Sequence, residues 1–275
     1  MNAVHIVTGA AGDIALASMM RLPDGIILAC DLNLPRLDER LSDVRASGRE
    51  VYTMACNITE RAQCDALIAL ASELGTPASL IHLAGVAPPS DPELIHAVNF
   101  TGTIALLDAC EAAGVTDFVA VCVASLAGHR RRAAEFDALL INPPADLRRR
   151  TEAAAADVSP SRLAYAVTKR GVLVQVRARA ASWGARNNRL VSVSPGVVAD
   201  STMGAARKAV AQHGARAALT REAGVRDMAD VITFAAGPQA SFLSGVDILI
   251  DGGFLALVDH QLADDEREAW HAILA

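Results

Sequence analysis

Apolar residues in this chain fall in short unbroken runs, without the alternation of a half-exposed strand. β-branched and apolar stretches occupy residues 4–8, 26–31, 51–54, 80–84, 118–123, 190–194 and 247–250, and Ala-rich segments of helical periodicity separate them. A run that is apolar at every position suits a strand covered on both faces, as in a parallel sheet between layers of helices. The alternation of seven such runs with helices predicts an α/β fold: one domain over residues 1–275, with a doubly wound parallel sheet of about seven strands. There is no internal repeat and no low-complexity linker. One segment departs from the rhythm, residues 128–160, where Arg130, Arg131 and Arg132 precede and Arg148, Arg149 and Arg150 follow Asn142-Pro143-Pro144. It predicts a pair of short helices inserted into the domain. A tail, residues 254–275, follows the last strand.

The chain's 275 residues suffice for a core that needs no disulfides. A formal net charge of -6 argues against a nucleic-acid partner. The five cysteines (Cys30, Cys56, Cys64, Cys110 and Cys122) form no CxxC pair and show no metal-ligand spacing. They read as buried reduced thiols, with no metal site, in a cytoplasmic protein. The sequence runs straight into a strand without a basic leader, and no uncharged apolar run approaches the ~18 residues of a membrane span. The expectation is a chain with no membrane partner.

Candidate chemistry begins at the first strand. Residues 4–15 read VHIVTGAAGDIA, a strand running through Gly9-Ala10-Ala11-Gly12 into a helix. Glycine there lets the backbone approach a pyrophosphate, which sits against the free N–H groups of the helix start. Asp31 closes the second strand 19 residues after Gly12, where a carboxylate can take both hydroxyls of an adenosine ribose. No Arg or Lys lies in the loop or directly beside Asp31, so a 2′-phosphate would be repelled. The pattern is that of a Rossmann-type dinucleotide site and selects NAD over NADP. Ala15 stands where a third glycine would be usual, and Asp13, in the first helical turn, is expected to point outward.

Tyr165 and Lys169, in the stretch YAVTK, place a phenol and an ammonium four residues apart, on one face of a helix. In order along the chain, TGAAGDIA (8–15), HLAG (82–85), VNFTG (98–102), VCVASLAG (121–128), YAVTK (165–169), SPG (194–196) and DGG (251–253) each fall at a strand end or on a helix that fits. With these motifs the sequence resembles the short-chain dehydrogenase/reductase family over nearly its whole length. The first half, with IHLAG and NFTGTIALLDACEAAGVTDFV, looks like the extended branch of nucleotide-sugar epimerases and dehydratases. The second half, with YAVTKRGVLVQVRARAASWG and ILIDGG, looks like the shorter branch of alcohol and hydroxysteroid dehydrogenases. Only 22 residues follow Gly253, which leaves no room for the extended branch's sugar-nucleotide domain. The long separation of Ser125 from Tyr165, 40 residues, most resembles the 3α-hydroxysteroid dehydrogenase/carbonyl reductase subgroup.

The resemblance implies an NAD(H)-dependent interconversion of a secondary alcohol and a ketone, on an apolar or steroid-like substrate. Asn99, Ser125, Tyr165 and Lys169 would be the catalytic set, with Tyr165 as general acid/base. It places the dinucleotide against Gly9, Gly12, Asp13, Ile14, Asp31, Leu32, Asn57, Ile58, Ala84, Gly85, Tyr165, Lys169, Pro195 and Val198. It also implies a homodimer or homotetramer. An ammonium about 4 Å from the phenol, at an effective dielectric near 20, would favour the phenolate by about 4 kcal/mol, or roughly three pKa units. Asn57 stands where an aspartate is usual, its amide oxygen expected to accept from adenine. Asp200, with Ser201 and Thr202 after it, replaces a usual threonine contact, and the helical stretch 202–214 is expected to act as a lid. His82 reads as a satisfied core histidine and Trp183 as packing, while Trp270 would cover a partner subunit or the substrate mouth. Two other readings share these motifs: an epimerase or dehydratase of the extended branch, and a non-catalytic NAD-sensing binding protein.

Overall fold

The computed structural model describes residues 2–199 and 217–273; Asp200, Ser201, Thr202 and the expected lid at 202–214 lie outside them. Seven strands form one sheet: β1 (Ala3–Thr8), β2 (Ile26–Asp31), β3 (Val51–Ala55), β4 (Thr76–His82), β5 (Val119–Val123), β6 (Arg189–Pro195) and β7 (Val246–Ile250). Their order is β3-β2-β1-β4-β5-β6-β7, and every neighbouring pair is parallel. The order reverses between β1 and β4, which stay paired to their last residues, Thr8 and His82, and the crevice beyond their carboxyl ends is where such sheets bind ligands.

Helices cover both faces. On one side α4 (Arg61–Leu74), α6 (Thr103–Ala112) and α10 (Pro160–Gly184) close a core that includes Ile6, Leu28, Leu67, Leu106, Ala120 and Trp183. On the other, α1 (Asp13–Met19) and α11 (Val225–Ala236) pack Val7, Ile27, Ile81, Val121, Val193 and Met228. Alternate residues of one strand serve opposite cores, which is why the runs are apolar throughout. All five cysteines are buried and unpaired, and Trp183 packs against Phe118. Among the described residues no helix is long and apolar enough to cross a membrane.

Two elements depart from the sequence expectation. Strand β4 was expected at 80–84 but begins at Thr76 and stops at His82. Its first half, with Pro77 and Ser79, is too polar to stand out as an apolar run. Its end is set by Gly9, at φ 63°: a side chain on Gly9 would lie 2.7 Å from the backbone nitrogen of Ala84, so residues 83–84 leave the ladder to pass over the glycine loop. The second departure is the insert, which holds three α-helices after a 3₁₀ turn (Leu126–His129), where a pair was expected: α7 (Arg131–Ala134), α8 (Asp137–Ile141) and α9 (Leu147–Ala154). One turn of α7 is too short to show a period, and Asn142-Pro143-Pro144 ends α8 because the residue before proline disfavours helix. Phe136, Leu140, Leu147, Ala155 and Val158 bury against Leu163, Ala166 and Val167 of α10 and against Phe100. Thus the insert braces the helix that carries Tyr165 and Lys169.

Candidate active site

The site residues converge at the carboxyl ends of β1, β4 and β5. Ser125 follows β5 and heads the 3₁₀ turn, its Oγ accepting the Ala127 amide at 3.2 Å. A serine that caps the next segment was the alternative to a catalytic one; the capping bond is present, and the same hydroxyl works against the burial that raises the Tyr165 pKa. Lys169 is 7% exposed and donates from Nζ to the Val123 carbonyl at 2.9 Å. Its Nζ stands 5.8 Å from the centre of the Tyr165 ring. A side chain on Gly85 would meet Asn99 Oδ1 at 3.2 Å and Lys169 Nζ at 3.5 Å. One bare backbone position is therefore shared by the amide and the ammonium.

Asn99 sits in a π-turn (Ala97–Gly102) between α5 (Pro92–His96) and α6. Its amide clasps the backbone of Val86, Oδ1 accepting from the amide at 2.7 Å and Nδ2 donating to the carbonyl at 2.8 Å. The wider turn suits a functional position, where a carbonyl is released from the α-helical ladder. Gly171 of α10 keeps it in place: a side chain there would lie 2.4 Å from the Phe100 ring, so that ring packs directly on the α10 backbone.

A relay that the sequence did not announce runs beneath these groups. The Ala84 amide reaches Thr8 Oγ1 at 3.4 Å, Thr8 donates to His82 Nδ1 at 2.7 Å, His82 Nε2 donates to Thr103 Oγ1 at 2.9 Å, and Thr103 donates to the Asn99 carbonyl at 2.8 Å. Because Thr103 gives its proton to Asn99, the histidine proton must lie on Nε2. Burial, with Lys169 adding to it, pushes His82 down to about 3, so it stays neutral. The expectation of a satisfied core histidine holds; its connection from the glycine loop to Asn99 could not be read from one sequence position.

The electrostatics correct one expectation. Burial raises the Tyr165 pKa above its ordinary value, against the Ser125 hydrogen bond that lowers it, and burial drops Lys169 to about 8. The expected three-unit lowering assumed an ammonium about 4 Å from the phenol oxygen. Here the ammonium is turned to the Val123 carbonyl, and desolvation of the phenolate dominates.

The residues fit a dinucleotide. Gly12, at the start of α1, has no side chain to cap the first-turn amides, the arrangement that leaves them for a phosphate. Asp31 holds the rim, its carboxylate accepting from the Ala11 amide at 3.1 Å and the Leu32 amide at 2.8 Å. Leu32 is exposed, Ile14 packs on the core at the start of α1, and Ile58 is buried beneath the expected adenine. Asp13 is ion-paired with Arg40 of α2 (Leu34–Arg40), which neutralises the carboxylate nearest the expected pyrophosphate. Asn57 differs from expectation: its Oδ1 accepts from both the amide and the hydroxyl of Thr59, at 3.1 and 2.9 Å. Its oxygen is thereby committed locally, so only Nδ2 is left for a ligand. Pro195 ends β6 and Val198 bridges to Ala223, which puts both on the same rim. A 120 Å³ cavity lined by Trp183, Arg186 and Asn188, and a 360 Å³ cleft lined by Asn2, Asp24 and Arg49, open instead at the amino ends of the strands.

Likeness to known proteins gives the family. The family model described as enoyl-(acyl carrier protein) reductase matches residues 14–255. The chain belongs to the short-chain dehydrogenase/reductase family and is an oxidoreductase of CH–OH groups. It is 29% identical over 279 residues to the short-chain dehydrogenase/reductase bsc3 of Alternaria brassicicola, covering 93% of this chain and 97% of that protein. It is 37% identical to the 3-alpha-hydroxysteroid dehydrogenase/carbonyl reductase of Comamonas testosteroni, over 101 residues that make up 35% of this chain and 39% of that protein. The subgroup resemblance thus rests on about a third of the sequence. Among solved structures, an NAD+-bound xylitol dehydrogenase superposes with a TM-score of 0.72 at 24% identity, over 91% of this chain and 98% of that one.

Folding stability should depend on pH through the buried histidines. His82 and His96 are held near 3 and 4 by burial, against an ordinary value of 6.5. Below about pH 6.5 the unfolded chain takes up protons that the folded chain refuses, so stability falls as pH drops from there toward 4. Denaturant melts at about pH 7.5 and about pH 5 should show this loss, and His82→Gln should reduce it. An equal loss in the variant would contradict the assignment.

Proposed function

We propose that the protein is an NAD(H)-dependent dehydrogenase/reductase that interconverts a secondary alcohol and a ketone, with Tyr165 as the general acid/base. The observation that carries this reading is the convergence of Lys169, Asn99 and Ser125 around Tyr165, at the carboxyl ends of the strands and beside an uncapped glycine loop. The bound nicotinamide would accept or supply the hydride. The protein's part is to place the carbinol and manage its proton. Ser125 holds the substrate oxygen, and Tyr165 takes the hydroxyl proton in oxidation and returns it in reduction. A buried Lys169 ammonium favours the anionic phenol, and its depressed pKa of about 8 lets it exchange protons near working pH. Asn99, whose carbonyl is the end of the histidine relay, keeps the π-turn beside Lys169 in register.

The choice of NAD rests on Asp31. Its carboxylate is fixed at the loop by three backbone amides, of Ala11, Leu32 and Asn33, with no cation paired to it among the described residues, so a 2′-phosphate would face an unscreened negative charge. An apolar body for the substrate fits the short-branch second half of the chain. Neither an epimerase nor an NAD-sensing role gains support from relatives that carry dehydrogenase and reductase names.

Tyr165→Phe should abolish alcohol oxidation, by roughly 10²-fold or more, while calorimetry still detects the dinucleotide. Wild-type turnover in that variant would overturn the role of Tyr165. Asp31→Ser should raise NADP turnover relative to NAD by on the order of 10-fold. An unchanged ratio would remove Asp31 from cofactor selection.

A further inference from the structure

Ser125 heads a turn with little of its own to hold it. The 3₁₀ stretch Leu126–His129 is closed by the Gly128 amide on the Ser125 carbonyl at 2.9 Å and by the Arg130 amide on the Ala127 carbonyl at 3.4 Å. Bonds of this kind have poorer geometry than α-helical ones, so a short piece takes its place from what it touches. On one side it touches the backbone of α10. A side chain on Gly128 would lie 2.9 Å from the Lys169 carbonyl carbon and from the Arg170 nitrogen. The turn therefore rests directly on the helix, four residues beyond Tyr165.

The far end of the turn is gripped from the sheet. His129 Nε2 donates to Asp247 Oδ2 at 3.0 Å, and Ser194 Oγ donates to Asp247 Oδ1 at 3.0 Å. A carboxylate only accepts, so the His129 proton lies on Nε2. Asp247 is the one polar residue of β7, VDILI. It pairs with Ser192 in the β6–β7 register and lies diagonally across from Ser194 on the same face. Ser194 is fully buried and precedes Pro195, which ends β6. One carboxylate, 14% exposed, thus joins the last residue of the Ser125 turn to the strand end expected to border the dinucleotide.

The cations nearby are engaged elsewhere. The charge of Asp247 reaches Arg170, but that guanidinium bonds to Asp137 of α8 twice, at 2.7 and 2.6 Å. Lys169 is turned to the Val123 carbonyl. Both oxygens of Asp247 are left to His129 and Ser194. Aspartate is disfavoured in strands, and its carboxylate loses hydration here for two donors on other elements. A local rule broken in this way marks a position kept for function.

We propose that Asp247 and His129 are positioning residues: by gripping the turn at His129 while Gly128 rests on α10, they set the direction in which the Ser125 hydroxyl points. The proposal rests on the dehydrogenase reading above and identifies what holds one member of its catalytic set. The Ser125 hydroxyl works against the burial that raises the Tyr165 pKa. A turn released from Asp247 would leave the phenol harder to ionise and the carbinol oxygen less well held. Misplacing such a group by about 1 Å can cost on the order of 10²-fold in rate.

Titration of the Tyr165 phenol in a Tyr52→Phe background, where no other tyrosine absorbs, reads this without turnover. Ser125→Ala should raise the midpoint by about half a unit or more, and His129→Phe should raise it nearly as far. The two together should go no further than Ser125→Ala alone, because His129 acts through the serine. His129→Phe keeps a ring and loses the donor; Asp247→Ala carries the same expectation from the other end of the clasp. His129→Gln can still donate, and Asp247→Asn can still accept from His129 while donating to Ser194, so both should restore most of the parent midpoint. A midpoint that neither His129→Phe nor Asp247→Ala moves, shifts that add in the double variant, or no shift in Ser125→Ala would overturn the proposal. A clasp-dependent midpoint in a protein that oxidises no secondary alcohol keeps the positioning role and sinks the dehydrogenase reading. Alcohol oxidation that Tyr165→Phe abolishes, beside a midpoint the clasp does not move, does the reverse.

Discussion

The structure depends on holding one ammonium out of water. Lys169 lies in the middle of a 25-residue helix, 7% exposed, and its Nζ is satisfied by the Val123 carbonyl at the end of β5. An unpaired charge in that position would cost several kcal/mol. The single hydrogen bond does not remove that cost, as the depressed pKa of Lys169 records. The neighbouring features make room for it: Gly85 has no side chain in the space that Lys169 and Asn99 share, and Phe100 locks the π-turn against Gly171. A group that gives up its proton so readily is poorly suited to bracing a fold, but well suited to tuning a phenol beside it.

Burial raises both the proton affinity of Tyr165 and the reactivity of Lys169, so the pair is poised rather than ionised. In the protein alone the phenol keeps its proton. A positive charge brought against the same cavity is what would tip the balance, and the glycine loop, the Asp31 rim and the Pro195–Val198 side all border the space where a nicotinamide dinucleotide would bring one. The insert and the tail meet just after the 3₁₀ turn that Ser125 heads. They are tied to each other by Arg131, His271 and Asp259, and by the stacking of Arg130 on Trp270. On the pyrophosphate side Asp13 is neutralised by Arg40.

Much of this was legible in the sequence because parallel strands buried on both faces leave unbroken apolar runs; β2 was placed to the residue. The glycine loop, Asp31, Ser125 and the Tyr165/Lys169 spacing were legible because each is a short-range pattern tied to a strand end or a helical face. What stayed hidden depends on partners far apart in sequence. The Thr8–His82–Thr103 relay joins residues 74 and 21 positions apart, and Asp13 meets Arg40 from another helix. Thr59 removes the Asn57 oxygen from the cofactor's reach. The sign of the Tyr165 shift was misjudged because spacing fixes which face a side chain occupies, while desolvation depends on everything packed around it.

The central claim is that Tyr165 is neutral in the free protein and becomes a base only through the combined charge of Lys169 and the bound oxidised cofactor. Tyr52 is the other tyrosine, and it is exposed, so Tyr52→Phe leaves a single phenol to follow by its tyrosinate absorbance. Without cofactor the midpoint should lie above about 10; with saturating NAD it should fall by about a unit or more, and Lys169→Met should abolish most of that fall. A midpoint that NAD does not move, or one near neutrality before NAD is added, would contradict the account.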